Sequence, residues 1–546
     1  MFVLGNILKP SLAAALTGLA LCWASISAAQ NSEAATITLS VEAQALAEQL
    51  SIAGPDLAEA SLFYAARNYR PLFVADSSTY GKSLLSALGD APKHGLPAGR
   101  YQALELSQAI ADIGDPASSA RAEVLAVRAY LHYAQDLHAG ILVPKDVDGE
   151  LAIDTPRESV TELLSRVVAA ADGAELFADL EPKHPRYRML LAEKARIEGM
   201  LSAGLAAPFV EEGAILRPGM SGPRVAQMRA RLGAIGFSQG LGSLEVYDDA
   251  LLEVVKLFQA ANGLADDGAV GPRTVAVLNR SDRDMLAQVL VNLERERWLN
   301  ISRGNRHIQV NIPAFVAQVY DYGAMVFETK TVVGKVGKTQ TPEFSDVMTH
   351  MMINPSWNVP VSIITKEYLP QLQANNTAMN RQGIQIFYKG RQIDPTRVDF
   401  SQFTAGWFPV TMRQPPGAGN ALGKVKFLFP NQFDIYMHDT PSKSLFDKIS
   451  RAFSHGCVRV ARPRELAYLL LSRQSDDPEG LFQKHLDTGR ETPVYLDQPV
   501  PVHLTYLTVW QNAAGQVEYL DDIYGRDAIV FAALEAAGVA IDPPES

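Results

Sequence analysis

Apolar residues recur at helical spacing over residues 34–207, most clearly in the stretches Ser40 to Leu50, Ala120 to Ala139 and Val160 to Ala171. Pro92-Lys93-His94-Gly95-Leu96-Pro97 and Pro182-Lys183-His184-Pro185 break the pattern as loops. The pattern predicts a helical scaffold domain over residues 34–210. Between Leu216 and Leu278 the texture changes. An amphipathic helix over Val225 to Leu232 runs into Gly233-Ala234-Ile235-Gly236-Phe237, whose glycines suit a helix end and a turn. A second helix spans Asp248 to Asn262, and a glycine-punctuated loop, residues 263–274, leads into a third. This predicts a three-helix module over residues 214–280.

From Gly304 the period falls to two. His307 to Ile312 and Phe315 to Tyr320 alternate like half-buried strands, Asp321-Tyr322-Gly323-Ala324 is a turn, and Met325 to Val333 returns. Further strands are expected at Lys426 to Phe429, Asp434 to Met437 and Pro493 to Tyr495. A hairpin of Val502 to Trp510 with Val517 to Leu520 turns near Asn512-Ala513-Ala514-Gly515. Between Pro360 and Met412 lies an insertion with a helix at Ile364 to Gln373 in irregular polar sequence. Such an insertion reads as a lid or binding loop, a disordered excursion being the alternative. The predicted class is α+β multidomain. A helical scaffold and a three-helix module precede a mostly-β domain at 304–500, which holds an inserted lid at about 361–412. C-terminal strands and a tail follow at 501–546.

At 546 residues the chain is too long for one compact core. Its net charge of −11 argues against a nucleic-acid surface, which needs a basic stripe, and leaves neutral or zwitterionic substrates open. Lys9 is the only charge before Glu33, an apolar run extends from Ser11 to Ile26, and Ser27-Ala28-Ala29 precede polar residues. That order predicts an export signal peptide over residues 1–29, ending at Ala29. An uncleaved membrane anchor is the alternative, and lipidation at Cys22 is disfavoured by bulky Leu21. The only other cysteine is Cys457. After export it is a lone thiol in an oxidising compartment, hence a candidate reactive group, against the alternative of an inert buried cysteine.

Its surroundings favour chemistry. Tyr436-Met437-His438-Asp439-Thr440-Pro441 precedes Ser454-His455-Gly456-Cys457-Val458-Arg459-Val460, with the two histidines 455 − 438 = 17 positions apart. A thiol at its intrinsic pKa is only a few per cent ionised at neutral pH and needs a base. His455 would have to turn back along its own segment, whereas His438, at a strand end, can face the cysteine across a sheet. Gly456 lets the backbone approach a substrate closely, so amides around Gly456 and Cys457 can face the oxyanion of a tetrahedral intermediate. Asp439 points to the opposite side of the strand from His438 and reads as structural, with a backbone carbonyl left to orient the imidazole. Trp357, Trp407 and Tyr436 are candidates to line a groove, core packing being the alternative. The histidines His94, His132, His138 and His184 lack a ligand cluster, and His307, His350, His485 and His503 lack motif context.

His438 followed by Ser454-His455-Gly456-Cys457 resembles the signature of the YkuD-type L,D-transpeptidases. Gln340-Thr341-Pro342, Ile353-Asn354-Pro355-Ser356-Trp357-Asn358-Val359-Pro360 and Pro416-Gly417-Ala418-Gly419-Asn420-Ala421-Leu422-Gly423 resemble its large periplasmic, YcbB-like class. The residues around Phe258-Gln259, Gly263-Leu264, Asp267-Gly268 and Val270-Gly271-Pro272-Arg273-Thr274 resemble the small peptidoglycan-binding domain. The resemblance implies that Cys457 is the nucleophile, His438 the general base and acid, His455 a positioning residue, and Gly456 an oxyanion amide. Arg459 would bind a substrate carboxylate or brace the loop, and Tyr436, Trp357 and Asn420 join it on the substrate side. The implied reaction is 3→3 cross-linking of peptidoglycan in the periplasm. A donor tetrapeptide acylates Cys457, and the diamino-acid amine of an acceptor stem resolves the thioester. No metal or organic cofactor is required, carbapenems would acylate the same thiol, and the partners are stem peptides, with other wall synthases a further candidate. The alternatives are an L,D-carboxypeptidase, attachment of a lipoprotein to the wall, and a non-catalytic wall-binding protein.

Overall fold

A computed structural model of the chain describes residues 39–541, apart from 76–78, 204–208, 238–244, 263, 338 and 513–514. The expected signal peptide, with Ala29 and Cys22, lies outside the described residues. Among the described residues no helix is long and apolar enough to cross a membrane.

The helical reading of the first region holds closely. Helices span Val41–Ile52, Pro116–Ala139 and Val160–Ala169, the first capped by Ser40, whose hydroxyl accepts the Ala43 N–H at 3.2 Å. Helices Pro223–Ala234, Asp249–Ala261 and Pro272–Leu278 close around a separate small core of Leu216, Met228, Leu251, Val255, Phe258 and Val275. The chain then returns to the scaffold. Helix Asp282–Trp298, started by a Ser281–Asp284 capping box, buries Leu286, Val289, Leu293 and Trp298 in the scaffold core. The three-helix module is thus an insertion between two parts of one helical unit.

Among the described residues fifteen strands follow: β1 (Arg306–Asn311), β2 (Val316–Asp321), β3 (Ala324–Gly334), β4 (Phe344–Ile353), β5 (Trp357–Asn358), β6 (Gln385–Tyr388), β7 (Arg391–Gln392), β8 (Val410–Gln414), β9 (Val425–Leu428), β10 (Met437–His438), β11 (Ala452–Ser454), β12 (Val458–Val460), β13 (Thr492–Thr505), β14 (Val509–Gln511) and β15 (Val517–Tyr519). Nine of them form one sheet in the order β11-β3-β12-β10-β9-β4-β13-β1-β2, and β2 also pairs with β3, so the sheet curls back on itself. Its inner face buries Ile308, Val310, Met351, Phe427, Met437, Val458 and Val502, closed by helices Pro463–Leu471 and Pro478–Leu486.

Two departures from the sequence reading matter. The expected strand at Asp434 to Met437 shrinks to β10, because Asp434 adopts φ +54° and breaks the extended run. The expected C-terminal strands and tail are no appendage. β13 runs unbroken across residues 492–505 within the main sheet, with a register shift between Tyr495 and Val500. Leu507, Val509, Trp510, Leu520, Val530 and Leu534, from the β14–β15 hairpin and helix Arg526–Ala536, complete the scaffold core. The scaffold and the nine-stranded sheet are therefore tied together at both ends.

The insertion is folded rather than irregular. β5, β8, β6 and β7 make a four-stranded sheet, and helical turns from Val361 to Ala374 pack on it. Eleven buried apolar side chains, among them Ile363, Tyr368, Leu372, Ile386, Phe400 and Met412, give it a core of its own. At ~1.5–3 kcal/mol per fully buried large apolar side chain, that core can hold a short segment in one conformation.

Candidate active site

β10 and β12 run parallel, with Met437 opposite Val458 and His438 opposite Arg459. Met437, Val458 and Val460 are fully buried on the inner face, so alternation sends Tyr436, His438, Cys457 and Arg459 to the other. That face is the floor of a cleft of about 1410 Å³, roofed by the lid turns and lined by Trp357, Glu367, Lys426, Tyr436, His438, His455, Cys457 and Arg459. The order of the sheet, and not proximity in sequence, brings His438 beside the cysteine segment.

Cys457 is half-buried, and its sulfur opens onto the cleft while donating to the Asp434 carbonyl at 3.7 Å. No hydrogen bond joins it to His438 in this resting arrangement; in the absence of substrate, contacts of this kind are commonly loose. Burial pushes the thiol up, opposed by hydrogen bonding from Tyr436 and by the charges of Lys426 and Arg459. His438 is pulled down to about 3, first by burial and then by Arg459 and Lys426. The resting pair is therefore neutral thiol and neutral imidazole. The His438 Nδ1–H donates to the Asp439 carbonyl at 2.5 Å, which leaves Nε2 as the lone-pair nitrogen. Asp439 supplies no third member of a triad, since its carboxylate accepts from Lys424 N, Thr440 N and Lys443 Nζ.

A titration of reactivity follows. A thiol held above its ordinary range carries less thiolate at neutral pH, and His438 undergoes no ionisation between neutrality and about pH 3. Iodoacetamide alkylation of Cys457 is expected to keep rising into the alkaline range, beyond the midpoint of an ordinary cysteine. A plateau already at neutral pH would indicate a resting thiolate–imidazolium pair instead.

The backbone around the nucleophile is braced. Gly456 adopts φ +111°, and a Cβ there would sit 2.9 Å from Ile435 Cδ1, so glycine is required. Its N–H donates to Ser454 Oγ at 3.2 Å, which in turn donates to the Cys457 carbonyl at 2.5 Å. Gly456 therefore spends its amide on Ser454, whereas no hydrogen bond among the described residues uses the Cys457 N–H. Thr341 Oγ1 donates to the Gly456 carbonyl at 2.7 Å, giving the Gln340-Thr341-Pro342 motif its structural task. Behind it Arg526 reaches the Thr341 carbonyl at 3.0 Å and Glu343 at 3.0 Å.

Arg526 and Glu343 are each 1% exposed, so Arg526→Ala would leave a buried carboxylate without its hydrogen-bonded cation, with the charge of Arg295 alone to oppose its burial. A loss of about 3–5 kcal/mol is expected in urea unfolding at neutral pH, with the nucleophile loop loosened as well. A loss below about 1 kcal/mol would show that the pair is not part of the brace.

The other expected contacts divide. Arg459 is half-buried in the cleft, and its guanidinium makes no hydrogen bond among the described residues; its Nε is buried without a partner. Tyr436 stands with its hydroxyl near both the sulfur and the Trp357 indole. Asn420, expected on the substrate side, instead lies outside the lining. It is 1% exposed and spends its amide on the carbonyls of Gln414 and Pro415 and on Leu422 N, because the Pro/Gly-rich turn around it offers no strand partner for those groups. Trp407 is 60% exposed on the lid and packs on Phe403, away from the cleft. Among the described residues no group of three or more His, Cys, Asp and Glu is placed to hold a metal ion.

Sequence reasoning missed Lys426 and Glu367. Lys426, opposite His438 on β9, holds its ammonium 3.7 Å from the Tyr436 ring centroid. A lysine on an apolar strand, between buried Val425 and Phe427, was the available signal. Nothing local marks Glu367, whose partner His455 is 88 residues away.

Three stretches of the chain match known protein families. Residues 305–496 match the family described as L,D-transpeptidase catalytic domain (YkuD). Residues 58–193 match the Scaffold domain family, and residues 221–278 match a family described as "Putative peptidoglycan binding domain". A Haemophilus influenzae protein named "Putative L,D-transpeptidase" is 34% identical over 221 residues, a match spanning 40% of this chain and 44% of that relative. A solved L,D-transpeptidase from Stackebrandtia nassauensis shares 13% identity over 55% of this chain and 97% of its own, with a TM-score of 0.20. One from Xylanimonas cellulosilytica shares 14% over 54% and 99%, with a TM-score of 0.17. Overlaps this slight carry no argument.

Proposed function

We propose a function for this chain from one premise: residues 305–496 are a YkuD-type L,D-transpeptidase catalytic domain. On that premise the protein acts on peptidoglycan outside the cytoplasm, and its reaction is formation of 3→3 cross-links through a cysteine thioester. One observation carries the reading. A single cleft holds Cys457, a neutral His438 with its Nδ1 pinned to a backbone carbonyl, and an Arg459 guanidinium without a hydrogen-bond partner among the described residues.

The thiol and the imidazole start neutral. As a donor tetrapeptide carbonyl approaches, the thiol proton passes to His438 Nε2, and the sulfur attacks the carbonyl of the third residue. The Cys457 N–H and the charge of Lys426 face the developing oxyanion. His438 returns the proton to the leaving D-alanine nitrogen, and Arg459 holds the terminal carboxylate that leaves with it. The side-chain amine of an acceptor stem then displaces the sulfur. The lid, roofing the cleft, keeps water from competing. Export to the periplasm and delivery to the wall by the three-helix module complete the proposal.

The test is product analysis. Purified protein incubated with tetrapeptide-bearing disaccharide is expected to yield dimeric muropeptides. Trimmed tripeptides alone would mark a carboxypeptidase, and unchanged substrate would remove the enzymatic reading.

A further inference from the structure

The lid touches the nucleophile segment through one polar contact that the mechanism above does not use. Glu367 Oε1 and His455 Nε2 lie 2.5 Å apart, joining the first lid turns to the residue two places before Cys457. Glu367 sits in a π-helical turn, Ile364–Tyr368, a geometry found often at functional sites. Ile364 and Tyr368 are 1% and 8% exposed in the lid core, so they fix the turn and leave Glu367 on its outer side, against His455.

A carboxylate on Nε2 holds the proton on that nitrogen and leaves the Nδ1 lone pair free. Among the described residues no hydrogen bond uses the His455 Nδ1. The His455 side chain is 29% exposed and that of Glu367 42%, and both line the cleft, so an incoming group can reach the ring. His438, by contrast, is buried at 5% exposure, with Nδ1 committed to Asp439. The two histidines therefore offer two base nitrogens, one buried in the floor of the cleft and one on its open side. The open one takes its orientation from the lid.

We propose that Glu367 is a positioning residue for the acceptor half of the reaction. By closing on His455 it orients that imidazole to take the proton of the attacking amine, and it does so only while the lid covers Cys457. The inference rests on the function proposed above. The acceptor nitrogen bonds to the thioester carbonyl carbon, the carbon–sulfur bond breaks, and the sulfur leaves as thiolate. The proton shed by the nitrogen goes to His455 Nδ1 and from there returns to the sulfur.

The experiment measures dimer formed per D-alanine released, using the full chain with tetrapeptide-bearing disaccharide. Each acylation releases one D-alanine, so the ratio does not depend on how much protein is folded. Glu367→Gln is expected to lower the ratio about tenfold, with tripeptide rising in place of dimer, because a neutral amide, which can donate to Nε2 as well as accept from it, no longer fixes the tautomer or supports the charge of the protonated ring, and part of a general-base contribution of about 10²–10⁴ is lost. Glu367→Asp, which keeps the carboxylate, is expected to recover part of it. A ratio for Glu367→Gln within about twofold of the parent would overturn the positioning role. If the parent itself releases no D-alanine, the proposed function fails first, and the two failures are told apart.

Discussion

Cys457→Ala is expected to abolish both dimer and tripeptide formation, with a loss of about four orders of magnitude or more. Among the described residues the cleft contains no second thiol, and the other groups that line its floor, Lys426, Tyr436, His438 and Arg459, are no substitute for a nucleophilic sulfur. The fold should survive. The residue is half-buried, its sulfur meets only the Asp434 carbonyl and Tyr436 among polar groups of the described residues, and the removed atom leaves space that already opens onto solvent. A change in unfolding free energy of at most about 1 kcal/mol is expected. Muropeptide chromatography and a thermal melt on the same sample check both halves. Lost activity with an intact melt is the expected pair, and retained product would place the nucleophile elsewhere.

His438→Gln should have the next largest effect, a fall of about 10²–10⁴ in acylation rate. Glutamine keeps an amide able to reach the Asp439 carbonyl, so the local structure is preserved, but it has no lone-pair nitrogen to take a proton. The size of the effect follows from the electrostatics. Burial holds the Cys457 thiol protonated, and the nearby cations only partly oppose it, so the sulfur depends on a base at the moment of attack. Because burial and Arg459 bring His438 down to about 3, the imidazole is neutral and ready across the whole working range. Acylation by a β-lactam, followed by intact mass against time, isolates this step. A variant within about tenfold of the parent would show that another group takes the proton.

The parts of this protein legible in its sequence are those whose signals are local. The helices at Val41–Ile52 and Pro116–Ala139 announce themselves by period and cap, and Ser454-His455-Gly456-Cys457 by residue type. β4 was not anticipated. Its Phe344–Ile353 run mixes polar residues and methionines on both faces, because it lies between β13 and β9, where pairing rather than alternation decides its state. β13 reads as broken because Pro493, Pro499 and Pro501 punctuate it, yet the sheet absorbs them around a register shift. The lid reads as loop because its strands are two to five residues long, too short for a period to show. The return of helix Asp282–Trp298 to the scaffold core, the Glu367–His455 contact and the brace from Arg526 to Gly456 are all long-range, and no window of sequence contains both partners.

The site divides the same way. His438 and Cys457 were named from residue type, spacing and the resemblance of their segments to a family signature, and two short parallel strands put them on one face. Asn420 was named from its neighbourhood and turned out to satisfy that neighbourhood's own carbonyls. Lys426 and Glu367 reach the cleft from other elements, so only the fold reveals them.

The most direct measurement is the mass of the protein trapped by acid during turnover with a tetrapeptide donor. A neutral thiol activated on demand predicts an increment equal to the donor less D-alanine, located on the peptide containing Cys457 and removed by hydroxylamine. Product accumulating while that peptide stays unmodified would contradict a sulfur-borne intermediate.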